Sequence, residues 1–152
     1  MTSFSPAIVH TPFSASSVLG GERVLQIHPR STIEWIDLVR KGIPAPAIDA
    51  VMQRLNVRQA ELSRALDIPE RTLVRRKKEG VLNREESGKL LRLARIIERA
   101  AEVFEDGPVA LDWMKSPNAS LGGATPLSIL DTDLGAASVI DTLGRIEHGV
   151  FA

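Results

Sequence analysis

Cysteine is absent from these 152 residues, and so is tyrosine. The first absence excludes disulfides and thiolate metal sites and suits a reducing compartment. Aromatic residues make up only 4% of the chain, and histidine occurs three times, at His10, His28 and His148. Catalysis needs acids, bases or ligands that converge. Three scattered imidazoles with no thiol or phenol beside them offer no such set. Gly122-Gly123 lacks the Lys-Ser/Thr that follows the glycines of a phosphate loop. No enzyme activity, no cofactor and no metal are expected. No apolar run approaches the ~20 residues needed to span a bilayer. No basic stretch followed by an apolar core marks a secretory signal. The expectation is a cytoplasmic protein with no membrane partner.

What is present has the balance of a globular protein, 43% hydrophobic and 25% charged. The length suits one domain, or two small domains sharing a core. Net charge is zero, but that average conceals a split. Arg54 to Lys78 carries eight basic residues against three acidic ones, a net of +5. Ala101 to Ala152 carries two basic residues against eight acidic ones, a net of −6. Opposite charge at two places argues for two different partners.

Helical periods dominate, and no convincing strand pattern occurs, so the expected fold is all-α. Residues 1–30 carry Pro, Ser and Gly without a sustained period and read as a flexible arm, with a short ordered piece at Val24 to Ile27. Ser31 with Glu34 fits a capping box, followed by an apolar face of Trp35, Ile36, Leu38 and Val39. Asn83 with Glu86 makes a second capping box and opens the longest helix, about Arg84 to Glu105. Its stripe of Leu90, Leu93, Ala94, Ile97, Ala100, Ala101 and Phe104 has a 3.6-residue period. Thr125-Pro126 starts a helix by capping and by proline geometry. A last helix over Asp133 to His148 points Val139, Ile140, Leu143 and Ile146 inward. The domains expected are 1–30 (arm), 31–82 (helix-turn-helix), 83–106 (connecting helix) and 107–152 (C-terminal domain).

The segment Val57 to Gly80, VRQAELSRALDIPERTLVRRKKEG, reads as two short helices around a tight turn. That is the layout of a helix-turn-helix, which sets its second helix in the DNA major groove. Leu62, Leu66, Ile68 and Leu73 stand at intervals that pack the two helices together. Asp67 tolerates the positive φ of the turn, and Pro69 fixes φ where the second helix begins. Glu70, Arg71, Val74 and Arg75 project away from Leu73 and are candidates for base edges. Arg58 and Gln59 are placed to anchor phosphates, as are Arg76, Lys77 and Lys78. A solvated basic helix on an ordinary bundle is the plainer reading of the charge run. One module covers a short site, so a homodimer on palindromic operator DNA is the usual arrangement, with the long helix or the C-terminal domain supplying the contact.

The C-terminal segment adds Trp113, Pro117, Leu121-Gly122-Gly123, Thr125-Pro126-Leu127, Leu130, Thr132, Gly135, Val139, Leu143, Arg145-Ile146 and Gly149. With the basic helix pair upstream, this pattern resembles the Xre/MbcA/ParS family of bacterial antitoxins. The resemblance implies a Xre-type DNA-binding domain joined to a C-terminal toxin-binding domain. It implies a RES-domain toxin that consumes NAD as partner, inactivated by covering its active-site entrance. It further implies repression of the operon by a higher-order toxin–antitoxin complex. Two residues depart from the family pattern: Arg76 stands where many such helices bury an apolar residue, and Pro69 replaces a capping hydroxyl. The toxin-binding candidates are Leu121, Gly122, Gly123, Arg145, Glu147, His148, Val150 and Phe151. Arg145 is open to two readings, an internal bridge to Asp141 or a toxin contact. Phe151 is an anchor or part of a frayed tail. Trp113 reads as core. The alternative from another class is a helix-turn-helix regulator whose C-terminal part only dimerises or senses a ligand.

Overall fold

The structure, a computed structural model, describes residues 12–149. Among them are nine α-helices and no strand: α1 (Ala15–Val18), α2 (Gly21–Leu25), α3 (Thr32–Lys41), α4 (Pro46–Leu55), α5 (Gln59–Leu66), α6 (Glu70–Glu79), α7 (Arg84–Phe104), α8 (Gly107–Met114) and α9 (Asp133–Glu147). Two 3₁₀ turns, Ala119–Leu121 and Leu127–Ile129, lie between α8 and α9. The all-α expectation holds.

Helix α7 is the axis of the fold. Its 21 residues rise about 30 Å. Asn83 Oδ1 accepts from the Glu86 amide, and the Glu86 carboxylate accepts from the Asn83 amide, so the expected capping box is formed. Leu90, Leu93, Ala94, Ile97 and Ala100 are buried as the period requires, and Ile96 joins them. The buried face is wider than one stripe because α1, α3, α5, α8 and α9 all pack on this helix. Glu105, at φ 54°, ends it, and Asp106 caps α8 by accepting from the Val109 amide.

Three sequence expectations need correction. Residues 12–30 are not a loose arm. Val18, Leu19 and Leu25 are fully or almost fully buried, and the Ala15 amide donates to Glu98 Oε2 of α7 at 3.0 Å. The short apolar spacing of α1 and α2 hid this, because neither is long enough to show a helical period. Residues 1–11 lie outside the described residues. Ile36 faces outward on α3, where Leu38 is the buried residue. Ile140 likewise faces outward on α9, one step from buried Val139.

Cationic side chains join segments far apart in sequence at helix C-termini, where unpaired carbonyls attract them. Lys115 Nζ donates to the Leu55 carbonyl at the end of α4 (2.8 Å). Lys89 Nζ donates to the Asp67 carbonyl at the end of α5 (3.0 Å). Between α3 and α4 the chain runs against the α6–α7 link: Leu82 N donates to the Ile43 carbonyl, Ala45 N donates to the Gly80 carbonyl, and the Ile43 amide donates to buried Ser87 Oγ. One core therefore runs from Ala15 to Leu143.

Packing around α9 is closest at Gly135. A Cβ there would lie 1.7 Å from the Ile129 carbonyl oxygen, a backbone atom that cannot rotate away. Gly144, on the same helix, has nothing within 4 Å of its Cβ position. Gly135→Ala should destabilise the protein by about 1–3 kcal/mol through overpacking. Gly144→Ala should raise stability by roughly 0.5–1 kcal/mol through helix propensity. Thermal or urea unfolding of both variants checks the contrast. Equal effects at the two positions would refute the tight contact.

Candidate functional site

Helices α5 and α6 form the compact pair that the apolar spacing predicts. Leu62, Leu66, Ile68 and Leu73 are all buried. Asp67 ends α5 at φ 54°, and Pro69 stands just before α6. Ser63 Oγ donates to the Ile68 carbonyl and closes the turn. On α6, Arg71, Val74, Arg75 and Lys78 are exposed at i, i+3, i+4 and i+7 spacing, which is one helix face. Leu73 lies on the opposite side, fully buried. Glu70 is exposed at the first turn. Arg75 carries a long contact to Glu79 at 4.0 Å, with both side chains about half exposed. Arg58, at the start of α5, is 91% exposed in its side chain.

Two other cations of this segment, Lys77 and Arg76, are engaged inside the protein. Lys77 Nζ lies 2.9 Å from Asp49 Oδ1 on α4 and donates to Gln59 Oε1 at 2.9 Å. Lys77 and Gln59, both candidates for DNA, thus bond to each other. Arg76 turns inward: Nε donates to Glu86 Oε1 (2.8 Å), Nη2 to Glu86 Oε2 (3.1 Å) and Nη1 to Glu79 Oε1 (2.8 Å). Burial pushes the Glu86 carboxyl up, but the Arg76 fork and the Asn83 amide outweigh it and hold the group below its ordinary range. The same pairing raises the Arg76 pKa further still.

In the C-terminal domain, Leu121 and Arg145 meet at one cavity of about 300 Å³, lined also by Ser120, Ile129, Ser138, Asp141 and Thr142. Asn118 organises its rim. Its side chain accepts from the Ser120 amide, and its backbone amide donates to the Ala124 carbonyl. Gly122 and Gly123 follow at φ 69° and 87°, both exposed, a conformation that disfavours any side chain. Among the described residues Arg145 makes no bridge to Asp141; its guanidinium donates to Thr142 Oγ1 at 3.3 Å. Glu147 is not a free end group. Both its oxygens accept from Arg99 of α7, which lowers its pKa. His148 is exposed, and Val150 and Phe151 lie outside the described residues. Trp113 packs half-buried and tilted against Phe104, ring centroids 5.6 Å apart.

Two features escaped sequence reading. An α7–α9 groove of about 420 Å³ is lined by Leu91, Ile96 and Ile140 and by Arg92, Arg95 and Arg99. The misplaced Ile140 was its only signal. Arg54 covers the Phe13 ring at 4.9 Å and donates to the Pro12 carbonyl, pinning the first described residues to α4. Nothing in the spacing of residues 13 and 54 announces that contact.

Comparison with known proteins matches two family models in succession along the chain. Residues 34–95 match the antitoxin Xre-like helix-turn-helix domain, and residues 99–149 match the antitoxin Xre/MbcA/ParS C-terminal toxin-binding domain. The chain is 37% identical over 119 residues to Antitoxin Xre of Yersinia enterocolitica, covering 77% of this chain and 80% of that protein. It is 33% identical to Antitoxin Xre of Photorhabdus laumondii, covering 74% and 78%. A Sphingobium protein named Prs ADP-ribosylating antitoxin is 28% identical over 136 residues, covering 83% of this chain and 86% of that protein. Among solved structures, a chain in the Mycobacterium tuberculosis MbcT–MbcA toxin–antitoxin complex is similar, with TM-score 0.53 and 26% identity, covering 71% of this chain and 96% of that one.

The Glu86 pairing has a pH signature. Its carboxyl titrates lower in the folded chain than in the unfolded one, so its contribution is present at neutral pH. That contribution fades as pH falls through the folded value, below the usual carboxylate range of about 4–4.5. Glu86→Gln should therefore be less stable than the parent at pH 7. The gap should narrow toward pH 3. Urea midpoints measured across that range check it; a gap independent of pH would dismiss the carboxylate as its source.

Proposed function

Because this chain belongs to the antitoxin Xre family, with its toxin-binding domain at residues 99–149, we propose that it neutralises a RES-domain, NAD-degrading toxin by covering that enzyme's active-site entrance. It has no catalysis of its own in this reading. It works in the bacterial cytoplasm, as a homodimer that assembles with toxin into a higher-order complex. The same complex represses its own operon through α6.

The observation that carries the proposal is the presence of two unlike surfaces on one core. The first is the stripe Arg71, Val74, Arg75 and Lys78, cationic and exposed. The second is the Leu121–Arg145 cavity with its two glycines, in a segment of net −6. An acidic inhibitor suits a cleft that evolved to hold a nucleotide's phosphates. ADP-ribosylation, in the name of the Sphingobium relative, is NAD-consuming chemistry. Arg71 and Arg75 offer guanine a bidentate fork in the major groove. Arg58 and Lys78 suit phosphates, and Glu70 sits at the groove-facing start of the helix.

Co-expression tests the inhibitor half: cells carrying a RES toxin encoded beside this gene should survive when the chain is present. Arg145→Glu or Leu121→Arg should abolish that protection while promoter binding persists. Full protection by both variants would remove the cavity from the toxin interface.

Gel shifts with promoter DNA test the other half. Arg71→Ala and Arg75→Ala should each weaken binding by about 5- to 150-fold, the equivalent of about 1–3 kcal/mol, with toxin protection retained. Unchanged affinity in both would take α6 out of the DNA-reading role.

A further inference from the structure

Arg76 lies in the most basic run of the chain, where a guanidinium invites assignment to a DNA phosphate. Its geometry says otherwise. The side chain is 19% exposed, against 55% for its neighbour Arg75. Nε, Nη1 and Nη2 are all bonded to carboxylates, two of them in a fork on Glu86. Glu86 is itself fixed. Its side chain is 10% exposed, and Oε1 also accepts from the Asn83 amide in the capping box of α7. One carboxylate therefore closes the first turn of α7 and grips α6 in its last turn.

Apart from Arg76, α6 is tied to its neighbours by Leu73 and by Lys77, whose flexible ammonium bonds Asp49 and Gln59 and leaves the helix some freedom to roll about its own axis. On α6 only Leu73 is fully buried. A planar fork allows one approach direction and so fixes the roll. Rotating α6 by one residue would turn Arg71 and Arg75 off the exposed face. We propose that Arg76 is a positioning residue: clamped by Glu86, it sets the rotation of α6 that presents Arg71, Val74, Arg75 and Lys78 together, and it does not contact DNA. This rests on the DNA-reading function of α6 proposed above. It goes beyond it by separating the cations that touch DNA from the one that aims them.

Salt dependence distinguishes the two roles. A phosphate ligand removed from the interface lowers the slope of log affinity against log salt by about one. An aiming residue changes the affinity and leaves the slope. The probe is a duplex spanning the promoter upstream of this protein's own gene, titrated with the full chain at several salt concentrations. Arg76→Met and Glu86→Gln should each weaken binding on the order of tenfold, with slopes equal to the parent's. The double variant should be no weaker than Arg76→Met, because both changes break one interaction. Arg76→Lys keeps the charge but cannot form the fork, and should resemble Arg76→Met. Lys78→Ala, the contact control, should flatten the slope by about one. Hydrogen exchange on the DNA-free chain provides a second readout: amides of α6 should exchange faster in Arg76→Met and Glu86→Gln, with those of α9 unchanged. A flattened slope in Arg76→Met with normal binding by Glu86→Gln makes Arg76 a phosphate ligand and overturns the proposal. Unaltered exchange across α6 in both variants overturns it too. Faster exchange together with no promoter binding by the parent chain overturns the DNA reading of α6, and the aiming role falls with it.

Discussion

The burial of α7 on several sides at once is the constraint from which the rest of the structure follows. Its apolar residues meet α1 and α3 from the N-terminal half, α5 from the helix-turn-helix, and α8 and α9 from the C-terminal domain. Each of those elements is short. Alone, helices of 8 or 10 residues such as α5 and α6 would be marginal in water. They persist because they bury their faces against a common partner and against each other. The two family domains, residues 34–95 and 99–149, divide α7 between them, so the boundary in sequence is a shared helix in space.

Charge is deployed in two ways. Some of it is oriented outward on α6, around exposed Val74. The rest holds elements in place. Arg92 joins α7 to the start of α9 through Asp133 and the Leu130 carbonyl, and Arg99 joins it to the end of α9 through Glu147. Half-exposed pairs of this kind add little stability each, since solvent screens them. Their value is geometric: two points along α9 fix its line against α7. The net charges of +5 and −6 read from the sequence are real, but part of each is already balanced by a neighbour within the fold.

Local signals were the legible ones. Ser31 and Asn83 each accept from the amide three residues on, as Ser and Asn do at helix starts, and Thr125 does the same ahead of a 3₁₀ turn where a helix was expected. The period of α7 and the spacing of Leu62, Leu66, Ile68 and Leu73 were equally plain, because several residues repeat the same message. Illegible were the features that depend on one residue meeting another far along the chain. The inward turn of Arg76 depends on Glu86 being free to accept it, and a charge run shows no such choice. Ile140 sits beside Val139, and only the position of α7 decides which of the two is covered. The packing of residues 12–30 needed knowledge of Glu98 and Gly107; Phe13 lies so close to Gly107 that a Cβ there would come within 1.9 Å of its ring.

The bond from the Ala15 amide to Glu98 spans 83 residues, and that from Lys115 to Leu55 spans 60. A chain leaving the ribosome at roughly 5–20 residues per second emerges in order, N-terminus first. The opening helices must then wait several seconds, their apolar faces uncovered, until the residues that receive them appear. The helix-turn-helix cannot complete its setting before α7 is translated, nor α4 its end before Lys115. Helices from the first third of the fold are thereby completed only once Glu98 and Lys115 have been added to the chain.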